Sequence, residues 1–275
     1  MSGLRQEFVQ RSITAICLSA VVVALVLFSP NLILNTFVFL LSLALFFEWM
    51  KVSKASRKKK IIFLLLFSSL ICCILGFGAL LEPIPIITML GITVWIVIAF
   101  QIFFREGRLS SSFSFTNFWI GLILISTFCL TCFQFVNGSR LFLLIAIFNV
   151  AIFDSWAYII GKNFGKNSFL PELSPNKTIE GLIGGLASSI VFVTLLYILI
   201  EEVSLKASIA LMLSIPFALC GDYFFSFLKR KANIKDTGSI LPGHGGLLDR
   251  VDSHLAAIPM TAFFSHLLYM LGSYF

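Results

Sequence analysis

"LFLLIAIFNVAIFDSWAYIIG", residues 141–161, is an apolar run with a single charged residue, Asp154. An α-helix rises about 1.5 Å per residue, so about 20 residues are enough to cross the hydrocarbon core of a bilayer. The run therefore predicts a membrane-spanning helix. Its aspartate needs a separate reason, because an ionised side chain at membrane depth costs at least about 2.5 kcal/mol and usually has a partner or a function.

The rest of the chain has the same character. Of its 275 residues 59% are hydrophobic and 12% are charged, and the mean hydropathy is +1.00. No water-soluble fold has enough interior to bury that much apolar surface. We expect an all-α, polytopic integral membrane protein with about nine transmembrane helices. The apolar runs that predict them are 12–29, 32–50, 61–80, 84–104, 117–136, 141–161, 179–200, 207–227 and 253–274.

The basic residues predict the orientation of these helices. The first run resembles a signal peptide but lacks a cleavage site followed by a polar mature domain, which favours a retained helix. If the N-terminus is cytoplasmic, all but two of the 20 lysines and arginines fall in cytoplasmic segments, the exceptions being Arg140 and Lys206. This is the positive-inside pattern. It indicates that the net charge of +7 serves topology and the anionic leaflet, and not a nucleic acid partner.

The predicted topology divides the chain into two regions. Residues 1–140 are expected to be N-terminal membrane helices for anchoring, packing and dimer contacts. Residues 141–275 are expected to form a catalytic membrane region with two cytoplasmic loops, 162–178 and 228–252. The second loop contains most of "SFLKRKANIKDTGSILPGHGGLLDRVD", residues 226–252, which has eight charged residues and four glycines.

Carboxylates near these loops suggest a metal site. Asp222 lies in an apolar run, and a returning loop can bring it close to Asp249 and Asp252. Hard divalent cations prefer carboxylate oxygens, and Mg²⁺ typically takes one or two carboxylates together with substrate phosphates and water. The sequence therefore predicts a Mg²⁺ site at Asp222 and Asp249. An interhelical pair with a lysine is the alternative for Asp222, and Asp154 fits either interpretation.

The same loops contain the groups that bind phosphate. Lysine and arginine side chains neutralise phosphate charge, and glycine lets backbone amides approach an anion closely. Together with the carboxylates they predict a polyphosphate site. The residues concerned are Lys177, Lys229, Arg230, Lys235, His244, Gly243, Gly245, Gly246 and Arg250.

Other catalytic motifs do not match. "GKNFGKNS", residues 161–168, lacks the spacing of a P-loop. His254 and His266 show no metal-ligand spacing, so we expect them to pack between helices. Ser174 or Thr178 could act as a nucleophile, but the sequence offers no obvious base. Thr178 is also well placed to cap the helix that follows it.

The stretch 226–252 resembles the signature of the phosphatidate cytidylyltransferases, also called CDP-diacylglycerol synthases. That signature is serine, two residues, KR, four residues, KD, then PGHGG, two residues, DR, one residue and D, and every fixed position is present. "DSWAYIIGKNFGK", residues 154–166, and "SPNKTIEGLIGG", residues 174–185, are similar to a second region of that family. Asn176 departs from the family, which commonly has a lysine there, so a role for charge at that position is weakened.

The resemblance implies a nucleotidyltransferase that converts CTP and phosphatidic acid to CDP-diacylglycerol and pyrophosphate. It also implies an all-helical membrane fold, a Mg²⁺-dependent site with K⁺ as a second ion, and a homodimer in the inner membrane of a bacterium with the active site facing the cytoplasm. By position, Asp222 and Asp249 correspond to the metal-holding aspartates. The other expected catalytic residues are Lys229, Arg230, Asp236 and Arg250, and the expected substrate-binding residues are Asp154, Ser174, Lys177, Thr178, Ser226, Lys235, His244, Gly245, Gly246 and Asp252.

Two other functions compete with this one. An ion-coupled transporter also places aspartates in its membrane helices, but it predicts acidic residues along a path through the bilayer. Here the acidic residues cluster with basic ones towards one face. A related CTP-using lipid kinase, or a synthase for a different lipid phosphate, remains a closer alternative that the full signature disfavours.

Overall fold

The protein is built from long α-helices. The computed structural model describes residues 19–53, 56, 58, 61–62, 64–69, 84–104, 118–238 and 245–272. Within them, seven helices are long and apolar enough to cross a membrane, preceded by a shorter apolar helix, Ser19–Phe28. The chain is therefore an all-α polytopic membrane protein, as predicted. The seven long helices are α1 (Asn31–Val52), α2 (Ile84–Phe104), α3 (Phe118–Asn137), α4 (Arg140–Phe164), α5 (Ile179–Leu199), α6 (Leu205–Lys231) and α7 (Leu248–Gly272).

The observed helices extend into the predicted loops. Helix α6 continues to Lys231 and α7 begins at Leu248, so both enter the predicted loop 228–252. Hydropathy marks the part of a helix that crosses lipid, whereas the helix itself continues into the charged layer beyond it. The three basic residues in the last turn of α6 also suit the negative end of the helix dipole. Much of the predicted first and third spans lies outside the described residues.

Among the helix starts that the structure describes, three have a hydroxyl cap. In each, the side-chain oxygen of the residue before the helix accepts a hydrogen bond from the backbone amide three positions on, which satisfies one of the free donors of the first turn. The prediction that Thr178 caps α5 is confirmed. The caps are Ser139 with Phe142 (3.2 Å), Thr178 with Gly181 (3.1 Å) and Ser204 with Ala207 (3.2 Å).

Helices α4 and α5 pack closely because the facing residues are small. A Cβ added to Gly181 would lie 2.6 Å from the carbonyl oxygen of Ala157 and 3.0 Å from Cα of Gly161. Deeper in the pair, the buried Ser189 hydroxyl donates to Asn149 Oδ1 at 2.6 Å. Small residues and interhelical hydrogen bonds are the usual means of association inside a bilayer, where lipid removes most of the hydrophobic driving force.

The N-terminal helices pack directly against the predicted catalytic region. The Trp49 ring on α1 stacks 6.3 Å from Phe224 and meets Phe225 edge-on at 6.0 Å, both on α6. Trp95 on α2 contacts Phe224 from another side, at 5.7 Å. Offset and edge-on aromatic pairs of this kind stabilise a core beyond their buried area. One hydrophobic core therefore joins residues of the predicted regions 1–140 and 141–275.

Most of the described charged residues lie at one end of the bundle, which we call the charged end. Helices α4 and α6 end there, and α5 and α7 begin there. Helix α1 also ends there, because Glu48 contacts the start of α7. At the opposite end, Arg140 donates to the Ser29 carbonyl oxygen at 2.6 Å and hydrogen-bonds Asn31. Lys206 also lies at that opposite end, in the first turn of α6. The positions of these two basic residues match the charge asymmetry predicted from the sequence.

Candidate active site

A cavity of about 560 Å³ opens at the charged end between α4, α5, α6 and the loop 165–178. It brings together residues that are far apart in the sequence but were predicted to belong to one site. Five of the predicted site residues line it: Asp154, Ser174, Lys177, Thr178 and Asp222.

The loop 165–178 is folded back on itself and fixed at its start. Glu180, in the first turn of α5, accepts hydrogen bonds from the Lys166 and Asn167 amides at 3.0 and 3.3 Å. The Phe169 amide donates to the Lys177 carbonyl oxygen at 3.0 Å, which closes the loop. The Phe169 ring packs 6.2 Å from that of Tyr223 on α6. These contacts hold Lys177 at the edge of the cavity.

Lys177 and Asp222 form an ion pair that joins the loop to α6, and we call them the cavity pair. Their side chains are 25% and 33% exposed, although the Lys177 Nζ atom itself is buried. Lys177 Nζ also lies 4.1 Å from the centre of the Tyr223 ring, a cation–π contact. The lysine partner that was the alternative for Asp222 is therefore present, and it comes from the other predicted phosphate-binding loop.

Tyr223 is a cavity residue that was not predicted from the sequence. It lies next to Asp222 and is one of the residues that line the cavity. Its buried hydroxyl has no hydrogen-bond partner among the described residues. A buried hydroxyl usually has one, so Tyr223 is a candidate hydrogen-bond donor to a ligand. The sequence could not indicate this role, because a tyrosine inside an apolar run looks like an ordinary packing residue.

Two further carboxylates lie within electrostatic range of Asp222. They are Asp154 on α4, which accepts a hydrogen bond from Ser253, and Asp252 on α7. Gly221 permits the approach of α7, because an added Cβ there would collide with the Asp252 carbonyl oxygen. No three histidine, cysteine or acid side chains in the described part of the chain are placed to hold a metal ion together. One or two carboxylates beside phosphate are nevertheless sufficient for Mg²⁺, so the donor chemistry at Asp222 fits this ion.

Asp249 has a different environment from Asp222. It lies in the first turn of α7, where its Oδ1 accepts from Lys229 Nζ at 2.8 Å. Its Oδ2 accepts from the Thr237 amide at 2.8 Å, the Thr237 hydroxyl at 3.0 Å and the Gly246 amide at 3.0 Å. Because a carboxylate oxygen has about two lone pairs, these donors occupy Oδ2 fully. Asp249 therefore joins Thr237 and Gly246 to the first turn of α7.

A further carboxylate at the charged end, Glu48, was not predicted as a site residue. It is fully buried, and its Oε2 accepts from the Thr237 hydroxyl at 3.0 Å and the Leu248 amide at 2.8 Å. Its Oε1 accepts from the Leu247 amide at 3.0 Å. The signal was present in the sequence, because "LFFEWM" at 45–50 places an acid in an apolar run just as Asp154 and Asp222 are placed. We call Glu48, Lys229, Thr237, Gly246 and Asp249 the helix-start network.

Two of the three predicted anion-binding glycines, Gly245 and Gly246, lie against protein carboxylates. A Cβ added to Gly246 would lie 2.7 Å from Glu48 Oε2, and the Gly246 amide already donates to Asp249. Gly245 has φ +83°, which is the left-handed conformation that glycine adopts without strain. Glycine is thus required here for the turn into α7 and for close approach to Glu48 and Asp249.

The remaining predicted residues lie around these two groups. Ser226 is partly buried on α6, one turn beyond Asp222. His254, expected to pack between helices, has Nε2 3.3 Å from the Ile147 carbonyl oxygen of α4. Predicted His244 and Gly243 lie outside the described residues. The predicted charged residues that are exposed at the charged end are Arg230, Lys235, Asp236 and Arg250.

Fold and site together define a polytopic helical membrane protein with a mixed-charge cavity at one end of its bundle. A sequence model of the cytidylyltransferase family matches residues 9–268, nearly the whole chain. The chain therefore belongs to the cytidylyltransferase family.

Several curated bacterial proteins named phosphatidate cytidylyltransferase are similar to part of the chain. The Bacillus subtilis (strain 168) protein is 42% identical over 113 residues, which are 40% of this chain and 42% of that protein. The Staphylococcus aureus (strain COL) protein is 41% identical over 122 residues, 43% and 46% of the two chains. The Aquifex aeolicus (strain VF5) protein is 40% identical over 124 residues, 44% and 46% of the two chains. The matched segments thus span less than half of each relative.

Proposed function

We propose that this protein transfers the cytidylyl group of CTP to phosphatidic acid, giving CDP-diacylglycerol and pyrophosphate. The observation that carries the proposal is the cavity pair, which brings a lysine of the loop 165–178 and an aspartate four residues before the signature stretch 226–252 together at one cavity. Membership of the cytidylyltransferase family and the names of the bacterial relatives support the same reaction.

The reaction joins two phosphates and needs no general base. A phosphate monoester has a second pKa near 6, so the lipid phosphate is largely ionised around neutral pH. One of its oxygens attacks the α-phosphorus of CTP, and the bond from that phosphorus to the bridging oxygen of the β-phosphate breaks. Pyrophosphate leaves with the bonding electron pair. His244 is accordingly proposed as a phosphate ligand or loop anchor and not as a proton acceptor.

The difficulty of this reaction is electrostatic, because two anions must approach each other. Lys177 would bind a phosphate oxygen and stabilise the charge that develops on the departing pyrophosphate. A phosphate bound to Lys177 competes with Asp222 for the same ammonium group, so substrate binding would release the Asp222 carboxylate. The Tyr223 hydroxyl can donate a further hydrogen bond to a phosphate in the cavity.

Mg²⁺ is part of the proposal. Asp222, with Asp154 or Asp252 beside it, would hold the ion, whose charge would neutralise the reacting phosphates and orient them. Asp249 remains a predicted second ligand, and to act as one its Oδ1 would have to exchange Lys229 for the ion. The K⁺ ion remains a prediction from the family resemblance.

The cavity wall suits a lipid substrate. Tyr158 on α4 lines the cavity and is 67% exposed, with the Lys162 ammonium 5.8 Å from its ring. Aromatic and long basic side chains of this kind lie at the level of lipid headgroups. Phosphatidic acid could therefore keep its acyl chains in the bilayer while CTP arrives from water. We place the charged end at the cytoplasmic face of a bacterial inner membrane and the protein in a homodimer.

The test is a membrane assay with CTP labelled at its α-phosphorus. Membranes containing the protein are incubated with and without phosphatidic acid, and with and without Mg²⁺. We expect lipid-soluble label only when both are present. Label that appears equally without phosphatidic acid, or with diacylglycerol in its place, would contradict the proposed substrate.

A further inference from the structure

Helix α1 contributes one carboxylate to the charged end, and this carboxylate accepts hydrogen bonds from Thr237, Leu247 and Leu248. Glu48 accepts from the Thr237 hydroxyl, the Leu247 amide and the Leu248 amide at 3.0, 3.0 and 2.8 Å. A fully buried carboxylate is costly unless its oxygens are hydrogen-bonded. Helix α1 therefore contributes hydrogen bonds to the charged end in addition to apolar packing.

Thr237 connects Glu48 to Asp249. Its hydroxyl oxygen lies 3.0 Å from Glu48 Oε2 and 3.0 Å from Asp249 Oδ2. Its backbone amide also donates to Asp249 Oδ2 at 2.8 Å. A hydroxyl has one proton to donate, so the two carboxylates share this donor. A change at Glu48 thus alters the hydrogen bonding of Asp249 directly.

Two glycines leave room for the Glu48 carboxylate. A Cβ at Gly238 would collide with Glu48 Oε1, and one at Gly246 would lie 2.7 Å from Oε2. Gly238 follows Thr237 and Gly246 precedes Leu247, and both of these neighbours donate hydrogen bonds to Glu48. An alanine at either position would displace the carboxylate or the neighbouring backbone. The fit is therefore between the Glu48 carboxylate itself and the backbone beside Thr237 and Leu247.

We infer that Glu48 is a positioning residue for the reaction: it fixes Thr237, Leu247 and the start of α7 at Leu248 against α1, and so places Asp249 and Lys229. This inference rests on the proposed function. Glu48 is absent from the lining of the cavity among the described residues, so it acts through Thr237 and the backbone of α7 and not on substrate. It assigns a role in activity to the N-terminal region, which was expected only to anchor, pack and dimerise.

The test compares Glu48→Gln, Thr237→Val, Thr237→Ser and the Glu48→Gln/Thr237→Val double variant, purified in detergent. Glutamine keeps one acceptor oxygen but turns an NH₂ group towards backbone N–H donors. We expect Glu48→Gln and Thr237→Val each to lower kcat about 10-fold to 100-fold, with the KM for CTP changed less than about 3-fold, because positioning acts on the transition state. Thr237→Ser, which keeps the hydroxyl, should restore most of kcat. The double variant should be no slower than the slower single variant.

Ser42→Ala provides the matched control. Ser42 is buried on the same helix, and its hydroxyl donates to the Val38 carbonyl oxygen of that helix at 2.8 Å. It should keep the wild-type kcat. Should Glu48→Gln fold poorly, shown by a lowered Tm, Thr237→Val tests the same connection from the loop side.

The outcomes distinguish the positioning role of Glu48 from the proposed cytidylyl transfer. Wild-type kcat in both single variants, or losses that multiply in the double variant, would overturn the positioning role while leaving the proposed function intact. If the wild-type protein forms no CDP-diacylglycerol from CTP and phosphatidic acid, the proposed function fails, and this inference fails with it.

Discussion

The charged end contains two aspartate–lysine pairs with different environments. In the cavity pair, the Lys177 and Asp222 side chains are 25% and 33% exposed and border open space. In the helix-start network, Lys229 and Asp249 are 19% and 9% exposed, and Asp249 accepts three hydrogen bonds besides that of Lys229. We propose that the cavity pair exchanges partners with a ligand, whereas the second pair joins Thr237 and Gly246 to the start of α7. The two aspartates predicted to hold a metal ion thus differ in their hydrogen-bond partners.

Asp222→Asn should have the largest effect on activity and the smallest effect on stability. The amide cannot supply the anionic oxygens that a cation requires, so we expect CDP-diacylglycerol formation to fall about 1,000-fold or more. Because Asp222 is partly exposed, Tm in detergent should change by less than about 2 °C. Glu202→Gln, an exposed acid at the opposite end, is the control. Near-normal activity at limiting Mg²⁺ would contradict the assignment of Asp222.

Asp249→Asn should reduce both activity and stability. The difference in Tm between this variant and Asp222→Asn tests whether the two aspartates have different roles. The variant loses the charge that pairs with Lys229 and weakens hydrogen bonds to Thr237 and Gly246. We expect turnover to fall about 100-fold, as for other residues that hold an active site in place. Tm should fall by about 5 °C, from a charge-assisted hydrogen bond of about 1.5–3 kcal/mol. Loss of activity with an unchanged Tm would make Asp249 equivalent to Asp222 and remove the distinction.

Lys177→Ala should have an intermediate effect. It removes the ammonium group that borders the cavity and leaves the Asp222 carboxylate without its ion-pair partner, so the KM for a phosphate substrate should rise about 10-fold. Lys166→Ala, an exposed lysine at the start of the same loop, should behave as wild type. Steady-state kinetics with CTP and phosphatidic acid varied in turn would show which substrate Lys177 binds. Unchanged KM for both substrates would limit the cavity pair to a structural contact.

Arg230→Ala and Lys235→Ala should have the smallest effects. Both residues are exposed at the charged end, where an isolated surface charge contributes about 0.2–1 kcal/mol, so each variant should lose less than about 5-fold in kcat/KM. The loss should shrink further at high salt, because salt screens exposed charges. A flat response in both variants would indicate that these residues serve membrane topology, and a loss as large as that of Lys177→Ala would extend the site beyond the cavity.

Hydropathy and capping patterns predicted the helix bounds and the helix cap that depend on neighbouring residues only. The run at 84–104 became a helix with those bounds, and Thr178 caps α5 as its position suggested. The expectation that a charged residue within an apolar run has a partner or a function also identified Asp154 and Asp222, which lie near each other at the charged end. Each of these outcomes depends on hydropathy, length or capping over a few turns.

The distinction between Asp222 and Asp249 could not be predicted in the same way. It depends on Glu48, which lies 189 residues before Thr237 in the chain and meets it only after α1 packs against α7. Spacing within the signature stretch gives no information about which carboxylate finds backbone donors. The early start of α7 belongs to the same problem, because Asp249 lies in its first turn and not in a free loop.

The most direct test of the proposed reaction uses CTP labelled at either the α- or the γ-phosphorus. The purified protein is reconstituted in vesicles that contain phosphatidic acid, with Mg²⁺, and the fate of each label is followed. We predict that label at the α-phosphorus enters the lipid, that label at the γ-phosphorus is released as pyrophosphate, and that Asp222→Asn abolishes both. Transfer of the γ-label to lipid would indicate a lipid kinase, and label-free lipid would contradict cytidylyl transfer altogether.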